Sequence, residues 1–213
     1  RLWQKERNYR IVNDDIRNLE NIKEISSMEI LMDALPQRVG SPLSIRNLAA
    51  ELEVHHQTVE KWIQILERVY FCYRLSPLQA SRIRPVKKEK KLFLWDWTTI
   101  ESQGAKLENL VASQLLKYCH FIEDTEGYKM ELKYLRDIDQ REIDFVVVKE
   151  KKPIFAVECK SGDQELSKNI EYFSKRVSIP KWYQVHFGEK DDEITEQIRI
   201  LPFTIFCREL GLP

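Results

Sequence analysis

The chain has 213 residues, of which 43% are hydrophobic and 32% charged, with 34 Lys plus Arg against 34 Asp plus Glu. That length allows one large core or two small ones, the composition excludes a disordered or collagen-like chain, and a net charge of zero leaves any affinity for nucleic acid to local clustering. No apolar run reaches the ~20 residues needed to cross a bilayer. The cysteines Cys72, Cys119, Cys159 and Cys207 contain no C-x-x-C pair, which argues against a structural zinc site or a disulfide scaffold and points to a reducing, cytoplasmic compartment.

The opening RLWQKERNYRIVNDDIRNLEN has no initial methionine and reads as the tail of something larger, so residues 1–21 are expected to be the end of a preceding domain or a linker. From 22 to about 39, Ile25, Met28, Ile30, Leu31, Met32 and Leu35 recur at helical spacing, and Pro36 with Gly40-Ser41-Pro42 closes the segment. Ser44 can cap a short helix through Leu52. After a turn at 53–56, a second helix carries Val59, Trp62, Ile63, Leu66 and Val69 inward. Tyr70 to Leu75 and Lys91 to Trp95 read as strands joined by the loop Ser76 to Lys90, which makes residues 22–97 a winged helix-turn-helix.

In that reading His56, Gln57, Thr58 and Lys61, with Gln64, face a DNA major groove, while Arg82, Arg84, Lys87 and Lys88 of the wing touch phosphates. Such modules also serve as protein contacts, and Glu60 and Glu67 would share the outer face. The pair His55-His56 has no third ligand nearby and reads as turn and helix-start chemistry.

After Trp97 the pattern changes to alternating helices and strands, so 98–213 is expected to be a mixed α/β (α+β) domain. AKLENLVASQLLKYCHF is a helix, 129–136, 141–148 and 153–160 are strands, 166–175 is helical, and 182–187 and 198–201 are again strands. Only four residues separate REIDFVVV from PIFAVECK, which suits a hairpin. With a loop at 150–152, position 149 pairs with 153 and Asp144 falls opposite Glu158, on one face with the apolar Val146, Val148, Ile154 and Ala156. Glu158 and Lys160, two residues apart, share that face as well.

Two close carboxylates repel each other and favour a cation between them. A hard ion such as Mg²⁺ would take Asp144, Glu158 and the carbonyl of Cys159, and Lys160 could position or help to deprotonate a water. The alternative is a cross-strand ion network on a solvated face, with little effect on stability.

Asp144 followed by Glu158-Cys159-Lys160, after a helix with an acid at Glu108, resembles the D…E-x-K pattern of the PD-(D/E)xK nuclease superfamily. Ile143 stands where that superfamily's name has proline. The resemblance implies a restriction-endonuclease-like sheet flanked by helices, with Glu108, Asp144 and Glu158 binding Mg²⁺ or Mn²⁺ and Lys160 assisting the water. Nearly the whole chain, through YRIVNDDI, KLFLWDWTTI, GAKLENLVASQLL, LKYLRD, REIDFVVV and AVECKSG, is similar to the C-terminal part of a family of archaeal and bacterial AAA-type P-loop ATPases. There a winged helix and a restriction-endonuclease-like domain of unknown function follow the ATPase. Tyr134-Leu135-Arg136 departs from the aromatic-Trp-Arg common in that family. No G-x-x-x-x-G-K-[ST] occurs, so no ATP site is expected in this chain. The partners expected are DNA and the chain's own N-terminal ATPase domain, with no membrane, and self-association is left open. The function it implies is Mg-dependent cleavage of phosphodiester bonds, with a catalytically inactive module that regulates the ATPase as the alternative.

Overall fold

The computed structural model describes residues 25–79 and 89–211, together with Trp3, Glu6, Arg7, Arg10 and Ile11. It is a mixed α/β structure of two compact units, one holding residues 1–74 and 91–102, the other 75–90 and 103–213. Among the described residues no helix is long and apolar enough to cross a membrane.

In the first unit, α1 (Ile25–Ala34) passes at Pro36 into a short 3-10 turn, because proline lacks the N–H that the helix needs. Next come α2 (Ile45–Glu51) and α3 (His56–Arg68). Ser44 caps α2 by accepting from Asn47 N, and His55 caps α3 by accepting from Gln57 N. The apolar face of α3 buries Val59, Trp62, Ile63, Ile65 and Leu66. β1 (Cys72–Pro77) and β2 (Lys91–Leu94) are neighbouring strands. Tyr73 stacks on Phe93, with ring centroids 5.7 Å apart, and packs against Trp95 at 5.3 Å.

The second unit is built on α4 (Gln103–Glu126), β3 (Met130–Arg136), β4 (Glu142–Lys149), β5 (Lys152–Lys160), α5 (Lys168–Ser174), β6 (Lys181–His186), β7 (Asp192–Thr195), β8 (Ile198–Pro202) and α6 (Phe203–Glu209). Eight strands follow in the order β2-β1-β3-β4-β5-β6-β8-β7. β3, β4 and β5 form an antiparallel meander, whereas β5, β6 and β8 run parallel. The β5-to-β6 connection crosses over through α5, as a parallel pair requires. Ile170 and Phe173 of α5 pack with Val146, Val148, Ala156 and Trp182 into one apolar core. β7, whose DEIT sequence is mostly exposed, and α6 are elements the periodicity reading does not find.

Candidate active site

The β4–β5 hairpin sets the site. Its turn holds two residues, Glu150 and Lys151, with φ of 49° and 65°, so Lys149 pairs with Lys152 and not with Pro153 as the three-residue loop required. Two-residue turns with positive φ match the twist of the strands they join. The register then shifts between Val147 and Val148, where Ile154 is an extra residue on β5, and from Val147↔Phe155 to Phe145↔Val157 it follows the expected alignment. One step further brings Asp144 beside Glu158. The expected neighbours arise from a tighter turn and a bulge whose effects on register cancel.

Glu108 of α4, Asp144 of β4 and Glu158, Cys159 and Lys160 of β5 line one pocket of about 370 Å³, with Gly104 and Gln164 at its rim. Cys159 N donates to Asp144 Oδ2 at 2.8 Å. Lys160 Nζ and Ser167 Oγ both donate to Glu158 Oε1, at 2.9 and 3.0 Å. The Glu158 side chain is only 5% exposed. Burial, then the nearby charge of Asp144, push its carboxyl up to about 7, against the opposing pull of Lys160 and Ser167. Burial works to lower Lys160, but Glu158 and Asp144 outweigh it and the net shift is upward. Lys160 is therefore a cation at neutral pH. It can offset charge and orient a water, but it is a poor acceptor of the water's proton.

The donor set suits a hard divalent ion in one respect: two carboxylates on neighbouring strands whose mutual repulsion a cation relieves. In another respect it falls short of the expected four-residue set. Among the described residues no group of three or more His, Cys, Asp or Glu side chains is arranged to hold a metal. Glu108 thus lines the pocket without completing a triad, and Cys159 has only its carbonyl to offer such an ion. One oxygen of Glu158 and one of Asp144 are already engaged by hydrogen-bond donors.

The two halves of the chain match different family models. Residues 1–101 match that of a domain of unknown function, DUF8612, and residues 103–206 match that of another, DUF4143. No curated protein and no solved structure matches the chain significantly. The two matches meet where the first structural unit ends, at Ser102.

Within the region matched to DUF4143, two residues that the sequence reading missed support Glu158. Gln184 is fully buried on β6, in register with Glu158. Its Oε1 accepts from Ser167 N at 2.7 Å, and its Nε2 donates to Gln164 O at 3.2 Å and Glu165 O at 3.0 Å. This fixes the loop from which Ser167 reaches Glu158. Asp163 of the same loop accepts from Lys190 N at 2.9 Å, and a Cβ on Gly188 would lie 2.3 Å from its carboxylate, so a larger residue there would push the Asp163 side chain aside. Periodicity conveys neither residue, because polar groups on an apolar strand and in a loop gain meaning only when the fold brings them together.

In the first unit, His56, Gln57 and Lys61 of α3 line a groove of about 400 Å³ with Ile45 and Arg46, while Thr58 is half-buried outside it. Glu60 and Glu67, expected to face outward, are partly exposed and share one ion-pair partner. Arg74 of β1, its side chain 5% exposed, bonds both carboxylates of Glu60 and Glu67 at 2.9–3.0 Å. A fork of five donors can bridge two acids in this way, and it neutralises the acids beside the groove. Arg82, Arg84, Lys87 and Lys88 lie outside the described residues. The described ends of their loop, 75–79 and 89–90, group with the second unit and not with the helices.

Proposed function

We propose that the region 103–206 carries a hydrolytic site for phosphodiester bonds of DNA that works with Mg²⁺ or Mn²⁺. The observation that supports this reading is the convergence of Asp144, Glu158 and Lys160 on one pocket, with Glu158 pushed up to about 7 by burial and by its neighbouring acid. Asp144, Glu158 and the Cys159 carbonyl would hold the ion, with Glu108 facing the same pocket. When bound, the ion would supply an activated water and neutralise phosphate charge. Lys160 would offset charge on the phosphate and orient the water, and Ser167 would keep Glu158 Oε1 in place. The α3 groove would supply the DNA contact. An ATPase domain preceding this chain, in a cytoplasmic protein, would be the partner, in keeping with the resemblance to ATPase C-terminal regions.

The test is cleavage of supercoiled and single-stranded DNA with Mg²⁺ or Mn²⁺ against EDTA, in the wild type and in Asp144→Asn and Lys160→Ala. Metal-dependent cutting that both substitutions abolish is expected. Cutting that survives both, or no cutting of either substrate, sinks the hydrolytic reading. A second reading is favoured by the Lys160–Glu158 ion pair at 2.9 Å and by the lack, among the described residues, of three His, Cys, Asp or Glu side chains placed to hold a metal: a nuclease-fold module that binds DNA or a partner and regulates the ATPase without chemistry of its own.

A further inference from the structure

The sheet face that carries Asp144 has a second opening, about 440 Å³, lined by Ser76, Gln79, Lys90, Glu131, Lys133 and Lys151 above a floor that includes Val148. Val148 is four residues from Asp144 along β4, about 13 Å at the rise of a strand. At Val146, Val148, Ala156 and Trp182 of β4, β5 and β6 this face is apolar and α5 covers it. On β3 it turns polar, because Glu131 and Lys133 stand opposite Val148 and Val146. Here the strand carries charge where its neighbours carry aliphatic side chains, and the apolar cover stops.

The opening is held in shape from below. Leu78 N donates to Tyr134 O at 2.7 Å, and the Tyr134 hydroxyl, on a fully buried ring, donates to Glu89 O at 2.5 Å. One residue of β3 therefore anchors both described ends of the basic loop beside the groove. Lys133 meets Glu131 at 3.2 Å, whereas among the described residues Lys90 and Lys151 have no carboxylate partner. Lys151 sits in the two-residue turn with φ of 65°, which sets it on the hairpin tip at the mouth of the opening. Three ammonium groups against one carboxylate, with a serine hydroxyl and a glutamine amide between them, match a row of phosphate oxygens in charge and in hydrogen-bonding capacity. Three ammonium groups along one opening suit the repeated charges of a long polyanion better than a single anion.

We propose that this groove of the second unit, lined by Lys90, Lys133 and Lys151, binds the phosphate backbone of a nucleic acid. This contact is separate from α3 and independent of whether the pocket at Asp144 cuts anything. The test is binding of a fluorescein-labelled 30-base-pair duplex, followed by anisotropy in EDTA over a range of salt. It compares the full chain with K90E/K133E/K151E and with Lys90→Ala/Lys151→Ala, the latter altering only exposed side chains and keeping the Lys133–Glu131 pair. The triple variant is expected to bind at least about tenfold more weakly at moderate salt. The slope of log K against log salt is expected to fall by about 2–3 for the triple variant and by about 2 for the double one. Circular dichroism confirms that each variant is folded. Wild-type affinity and slope in a folded double variant overturn the proposal, as does a wild type that binds no duplex. A poly-glutamate peptide that binds as tightly as DNA of equal charge overturns the nucleic-acid assignment in favour of an acidic protein segment. Because no cleavage is measured and no metal is present, failure of the hydrolytic reading leaves this result unaffected.

Discussion

Glu158→Gln tests the electrostatics of the candidate site without a substrate. The substitution keeps shape and an oxygen that can still accept from Ser167, and it removes the charge that burial and Asp144 disfavour. The folded carboxyl titrates near 7 against an ordinary 4.5, a gap worth about 3 kcal/mol between the two ends of the titration. A carboxyl raised in the folded state binds protons more tightly than in the unfolded state. Its contribution to stability is therefore full below about 4.5 and is lost as pH rises through about 7. At pH 5 the neutral Glu158 and the glutamine are near equivalents. At pH 9 the variant should be the more stable, by as much as about 3 kcal/mol, or roughly 5–10 °C in Tm for a chain of this size. Urea and thermal unfolding of both proteins in EDTA at half-unit steps from pH 5 to 9 would trace the difference. A difference that stays constant across pH, or a wild type that gains on the variant as pH rises, refutes the account of Glu158. Adding millimolar Mg²⁺ at pH 8 should narrow the gap by stabilising only the wild type.

Arg74→Ala should cost the first unit on the order of 3 kcal/mol in urea unfolding, because it leaves Glu60 and Glu67 adjacent without their shared cation. Gln184→Leu should cost about 3 kcal/mol, since Ser167 N and two loop carbonyls lose partners at a buried position. It should also weaken Mg²⁺ binding by calorimetry, because Ser167 is no longer held toward Glu158. Lys151→Gly should raise stability by about 1 kcal/mol, because glycine adopts positive φ without the steric cost borne by lysine.

Much of the architecture is legible in the sequence because burial is periodic. The Ser44 cap, the inward stripe of α3 and the strands of the meander all follow from apolar spacing. The pairing of Asp144 with Glu158 is legible in outcome but not in cause, since nothing in Lys149 to Lys152 announces a tight turn followed by a bulge. Turns that need positive φ are read from glycine or asparagine, and this one uses glutamate and lysine. Arg74, Ser167 and Gln184 are illegible for another reason: each acts through partners at least seven residues away, and a single sequence does not record such proximity. β7 fails the pattern test because three of its four residues are exposed, so no alternation marks it.

The paired irregularities at the tip of the β4–β5 hairpin also bear on how this chain can change length. A one-residue slip between the strands would turn Asp144 and Glu158 to opposite faces of the sheet. A hairpin with a two-residue turn and a bulge has an alternative with a longer turn and no bulge, and both give the same alignment at the far end. Loss of a residue at Lys152 could therefore be absorbed by drawing Ile154 back into the ladder with the two-residue turn kept, leaving the carboxylates in register. The hairpin tip is a place where relatives could gain or lose a residue, and add or remove a lysine of the basic groove, while the pocket keeps its geometry.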